Sequence, residues 1–122
     1  MIGPPPIQML VLDDDSSRVK TLRRRFPGAE ITWAETAEEC IGMLDQNWDV
    51  IRLDHDLGGE TYVDPTRDDC GMAVVRELAE NSRPHLMETV FIVHTRNAYA
   101  GPRMVTLLRG SGYDADYVPF AY

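Results

Sequence analysis

One pattern recurs along the chain: a short apolar run ends abruptly, and residues at helical spacing follow it. The first run, Gln8 to Leu12 (QMLVL), is halted by Asp13, Asp14 and Asp15. Continuous apolar character suits a strand covered on both faces, as in a parallel sheet, better than one with a wet side. From Ser16 onward Val19, Leu22 and Phe26 share a helical face, with Arg18, Arg23, Arg24 and Arg25 largely off it, until Pro27-Gly28 ends the helix. Glu30 to Ala34 reads as a second strand. Thr36-x-x-Glu39 is a capping box opening a helix that turns Cys40, Ile41, Leu44 and Trp48 inward. Asp49 to Leu53 is a third strand, and His55 to Asp69, rich in Gly, Asp, Thr and Pro, reads as a long loop at its end. Gly71 to Asn81 gives a third helix with Met72, Val75, Leu78 and Ala79 inward, followed by a β-branched and aromatic strand from Thr89 to Val93. Pro102 is suited to the first position of a fourth helix carrying Met104, Val105 and Leu108 and ended by Gly110, and Ala115 to Val118 is a fifth strand.

Strands alternating with helices require crossover connections, so the expected class is α/β: a three-layer sandwich around a five-stranded parallel sheet in the flavodoxin-like order 2-1-3-4-5. The 122 residues make one domain, 1–122, able to bury a core without disulfides or structural metal. Cys40 and Cys70 fall in helical stretches at no disulfide or metal spacing and read as buried thiols. No apolar run approaches a membrane span and the lead MIGPPPIQ lacks a signal pattern, so a cytoplasmic protein without membrane contact is expected. A net charge of −8 excludes gripping a nucleic acid backbone by bulk charge, so a phosphate ligand needs local metal or arginine.

In open α/β sheets ligands bind beyond the carboxyl ends of the strands, at the switch point between the first and third. Asp13-Asp14-Asp15, Asp54-His55-Asp56 and His94-Thr95-Arg96-Asn97 all fall at such ends. Carboxylates gathered there repel one another unless a cation neutralises them, and oxygen donors suit Mg²⁺ or Mn²⁺. Asp13, Asp14 and Asp54 are the candidate ligands, with Asp56 beside them, although Asp56 also suits a turn and Asp15 a helix cap. His55 and His94 can act as general base and general acid, or ligate a softer metal such as Zn²⁺; a structural histidine is the alternative. His85 lies at the opposite end and has no assigned role. Thr95, Asn97, Arg96 and Arg103, with the amides opening the fourth helix, form a candidate phosphate pocket, against solvated loop charge for either arginine alone.

The acid pair Asp13-Asp14, Asp54 ending strand three, Thr95 after strand four, and Val118-Pro119-Phe120 resemble response-regulator receiver domains over almost the whole chain. That resemblance implies Mg²⁺ on the acid pair, a phosphoryl acceptor at Asp54 and a switching hydroxyl at Thr95. The lysine that contacts phosphoryl oxygens in receivers is replaced by Val118, which speaks against phosphorelay and leaves the metal pocket intact. Leu53-Asp54-His55-Asp56-Leu57-Gly58, His94-Thr95-Arg96-Asn97 and Gly101-x-Arg103-Met104 are more specifically similar to the cyclic-phosphate processing receiver domains. This resemblance implies a phosphoesterase, or a binder, of cyclic phosphates on RNA ends or nucleotides. In that reading Asp13, Asp14 and Asp54 hold metal, His55, His94 and Asp54 are catalytic, and Thr95, Asn97 and Arg103 hold phosphate. The rivals are a non-catalytic cyclic-nucleotide module and a signalling receiver phosphorylated on Asp54.

A receiver's final helix is missing from the sequence, which leaves part of one sheet face uncovered; a homodimer through that face is one expectation, cover by the Pro-rich lead another. Arg52, inside strand three, is expected to face that side or pair with an acid, because an unpaired buried arginine is costly.

Overall fold

Leu10, Leu12, Ile51, Leu53, Phe91 and Val93 are fully buried on three adjacent strands, and the sheet is organised around them. The computed structural model describes residues 3–121; Met1 and Ile2 of the Pro-rich lead, and Tyr122, lie outside the described residues. Five parallel strands, β1 (Ile7–Leu12), β2 (Ala29–Ala34), β3 (Val50–Leu53), β4 (Val90–Val93) and β5 (Asp114–Tyr117), form one sheet in the order β2-β1-β3-β4-β5. This is the expected fold class. The central register pairs Leu12 with Ala34 on one side and Leu53 on the other, and Leu53 with Val93, so three strand ends finish level.

Alternation along β1 decides which layer each residue joins. Leu10 and Leu12 enter the larger core with α2 (Ala37–Ile41), α3 (Gly71–Glu80) and α4 (Ala100–Gly110), whereas Met9 and Val11 meet Val19 and Leu22 of α1 (Ser16–Arg25) on the other face. Each fully buried aliphatic or phenyl side chain contributes roughly 1.5–3 kcal/mol. Among the described residues no helix follows β5; Phe120 instead folds onto the α1 side with Met9 and Val11, and Ile31, Trp33 and Val50 stay half-buried there. No described helix is long and apolar enough to cross a membrane.

Asp15 caps α1, its Oδ1 accepting from the Ser17 amide at 2.8 Å, as its position suggested. Thr36 caps α2 by accepting from Glu39 N at 3.1 Å, but the helix is only five residues long. Its continuation unwinds at Gly42 into tighter turns (Met43 N to Cys40 O, Leu44 N to Ile41 O), which still deliver Leu44 and Trp48 to the core. Helix α4 begins at Ala100, so Pro102 is third rather than first, a position where its missing N–H removes no helical bond. Both cysteines are buried free thiols; Cys70 is the N-cap of α3 rather than a helical residue.

Candidate cation and phosphate site

Because β1 and β3 end level, Asp13 and Asp54 emerge side by side, and Asp14 completes a group whose ligand oxygens lie within 4.8 Å of one another. Three hard carboxylates this close are a fit donor set for Mg²⁺ or Mn²⁺. Asp13 and Asp54 are both buried, yet they titrate in opposite directions. Burial and the neighbouring Asp13 charge push Asp54 up to about 7. Burial also opposes ionisation of Asp13, but hydrogen bonds from His94 and Arg18 outweigh it and hold its carboxyl below the ordinary range.

Arg18 is the residue that sequence reasoning missed. Its guanidinium donates to Asp13 (Nη2 to Oδ1 2.7 Å, Nε to Oδ2 2.8 Å) and reaches Asp14 and Asp54, each at 3.3 Å. A fourth carboxylate, Asp15, lies 3.4 Å from Nη1. The hydrogen bonds to Asp13 hold the guanidinium pKa above its ordinary value. Placing Arg18 only off the apolar face of α1 overlooked its spacing of four from Asp14 and three from Asp15, which points it back over the helix start.

Both histidines have their ring nitrogens engaged in internal hydrogen bonds. His55 is fully buried, with Nε2 donating to Val63 O at 3.0 Å and Nδ1 accepting from Met72 N at 3.2 Å. Both nitrogens are spent on backbone, so His55 fastens the 55–69 loop to the start of α3 and has no atom to offer the site. His94 lines the cavity, but Nε2 donates to Asp13 Oδ2 at 2.8 Å and Nδ1 accepts from Arg52 Nε at 3.3 Å. Burial depresses its pKa despite the Asp13 carboxylate, as the neutral tautomer between a donor and an acceptor requires. Arg52 therefore pairs with a histidine rather than with an acid, on the α1 side, and His94 links it to Asp13.

Asp56 is not with the metal-type acids. Its carboxylate accepts from the Tyr62 amide (2.8 Å), the Val63 amide (3.0 Å) and Asn97 Nδ2 (3.1 Å), shaping the loop rather than facing a cation. Tyr62, held there at φ 52, stands 82% exposed at the rim of the cavity. Asn97 Oδ1 accepts from the amides of Tyr99 and Ala100, each at 3.0 Å, so it takes up amides at the start of α4 that were expected for phosphate. Arg103 lies outside the cavity lining: it folds over the Tyr99 ring, 3.6 Å from its centroid, and bonds Tyr99 O. Thr95 and Arg96 do line the cavity, as do Asp56 and Asn97. Thr95 Oγ1 accepts from Asn97 N at 3.1 Å and keeps its own proton to donate, and the exposed Arg96 guanidinium makes no ion pair among the described residues. The cavity, about 590 Å³, opens between these groups, the acids and Tyr62. That is the size of a small-molecule site, larger than a single phosphoryl group requires.

Curated proteins include no match to this chain. Solved receivers share its fold. A CheY-like receiver from Methanospirillum hungatei aligns with a TM-score of 0.66 at 21% identity, over 96% of this chain and 83% of that one. TrrA from Thermotoga maritima, solved with Mg²⁺ and beryllofluoride, gives 0.65 at 22%, over 95% and 88%. A Burkholderia pseudomallei response regulator with a phosphorylated aspartate gives 0.64 at 19% over 95% of this chain, which spans only 61% of that protein. The family model of the cyclic-phosphate processing receiver domain matches residues 8–110, the stretch that supplies every acid and arginine of the cavity. The chain belongs to the cyclic-phosphate processing receiver domains.

Proposed function

We propose that this chain binds and opens cyclic phosphates on nucleotides or RNA ends, using Mg²⁺ or Mn²⁺ held by Asp13, Asp14 and Asp54. The observation that carries this reading is the meeting of Asp14 and Asp54, which have the buried Asp13 directly behind them, with Thr95 and Arg96 around one cavity at the strand tips. A bound cation supplies charge neutralisation and an activated water. The chain's own residues do the rest: Asp13 is held ionised and in place by His94, Arg96 takes the phosphoryl charge, and Thr95 donates to a phosphoryl oxygen. A cytoplasmic setting and pairing of two copies over the half-buried Ile31, Trp33 and Val50 remain parts of the proposal, the latter read by light scattering.

The test is incubation with 2′,3′-cyclic mononucleotides and oligonucleotides ending in a cyclic phosphate, with Mg²⁺, Mn²⁺ or chelator, followed by analysis of the ends. Opening with metal and not with chelator is expected; no opening of any substrate removes the enzymatic reading. One observation favours a second reading, capture without turnover: both imidazoles are committed to internal hydrogen bonds, so neither aims a proton carrier into the cavity. That reading predicts thermal stabilisation by cyclic nucleotide and metal with no product. Stable labelling of Asp54 by acetyl phosphate would replace both with a signalling receiver.

A further inference from the structure

Arg18 occupies the middle of the acids that would hold the cation. Both Asp13 oxygens accept from it, and it also reaches Asp14 and Asp54, so it touches all three members of the cation-type group. A divalent ion on the same oxygens would stand within a few ångström of the guanidinium, where like charges repel strongly in a part-buried setting. Occupancy by the one is therefore incompatible with these contacts to the other. Arg18 is free to yield. It projects from the first turn of α1, its side chain is 21% exposed, and it lines the cavity itself. Once turned away from Asp13, its planar fork points into a space that already contains Arg96, and that fork matches two oxygens of a phosphate.

We infer that Arg18 is an exchangeable counter-ion: it neutralises Asp13, Asp14 and Asp54 until a divalent cation takes them, and then turns into the cavity to grip the ligand's phosphoryl oxygens beside Arg96. This rests on the cyclic-phosphate reading for its ligand and on the acid cluster alone for its exchange. The arrangement orders the two binding events. Cation comes first, and the phosphate site is complete only afterwards.

Two measurements on the full chain test it. Mn²⁺ titration followed by the signal of free ion should show Arg18→Met binding Mn²⁺ at least tenfold more tightly than the native chain. At saturating Mn²⁺ the same variant should bind 2′,3′-cyclic AMP at least tenfold more weakly, with Arg18→Lys between the two. Unchanged or weaker Mn²⁺ binding, or cyclic-AMP binding equal to that of the native chain, overturns the inference. A native chain that takes Mn²⁺ but no cyclic phosphate sinks the proposed function, while the Mn²⁺ comparison still decides the exchange. Should Arg18→Met fail to fold, the native protein suffices: Mg²⁺ must shift the Arg18 Nε–H nuclear resonance and speed its solvent exchange, and a resonance indifferent to Mg²⁺ refutes the exchange.

Discussion

His94 bridges two buried charges, Arg52 at Nδ1 and Asp13, which Arg18 also holds, at Nε2, and its ring meets Phe120 edge-on at 5.8 Å. Truncation therefore strips hydrogen bonds from both. His94→Ala should destabilise the chain by on the order of 3 kcal/mol in urea unfolding, well beyond what an exposed histidine would cost. Asp54 sets a pH dependence. Its carboxyl titrates at 3.8 when unfolded and at about 7 when folded, so the folded chain retains the extra proton between those values. The stability this contributes is complete below pH 3.8 and is lost as pH rises through about 7. With chelator present the melting temperature should fall from pH 5 to 8, and Asp54→Asn should flatten that slope. The acids of the site were legible in the sequence because a strand end in this fold has a fixed address. The roles of His55, Asp56, Asn97 and Arg103 were not, because each also lies near that address and only three-dimensional contacts reveal that their polar atoms are spent on backbone, on one another or on the Tyr99 ring.

At the level of elements, the start of α3 lies against the end of β3. A Cβ built on Gly71 would fall 1.9 Å from the Asp54 carbonyl oxygen, and the Gly71 amide donates to His55 O at 3.0 Å. Gly71→Ala must push α3 and the Asp54 backbone apart. It should cost about 3 kcal/mol and weaken Mn²⁺ binding as well, whereas Gly28→Ala, whose Cβ meets nothing within 4 Å, should leave Mn²⁺ binding unchanged. The alternation of strands and helices and most of the inward faces of α1 and α3 could be read from apolar spacing because burial imposes those periods directly, although Phe26, expected on the inner face of α1, is exposed beyond its end. The brevity of α2 could not, since the same inward set of Cys40, Leu44 and Trp48 is satisfied by a helix or by successive turns. The loop after β3 carried no period at all, yet it is ordered by side chains binding backbone: Asp56 on Tyr62 and Val63, Arg76 on Pro65 and Arg67, and His55 on Val63.

For the whole molecule, 20 acidic against 12 basic residues leave a repulsive excess, and a cation on the proposed three-acid site would relieve it where those acids crowd together. At a hundredfold excess over its dissociation constant, Mg²⁺ or Mn²⁺ should raise stability by about 2.7 kcal/mol, seen as a higher melting temperature that Asp13→Asn or Asp14→Asn abolishes. The fold also couples its longest irregular segment to the same acids. The tip of the 55–69 loop is anchored by the Gly59 amide donating to Asp14 Oδ2 at 2.7 Å, while Oδ1 of the same carboxylate faces Arg18. One carboxylate thus joins the rim of the cavity to its floor. The Gly59 amide proton is in consequence a built-in reporter: its exchange with deuterium should change, at the rim, when the charge partner of Asp14 changes at the floor.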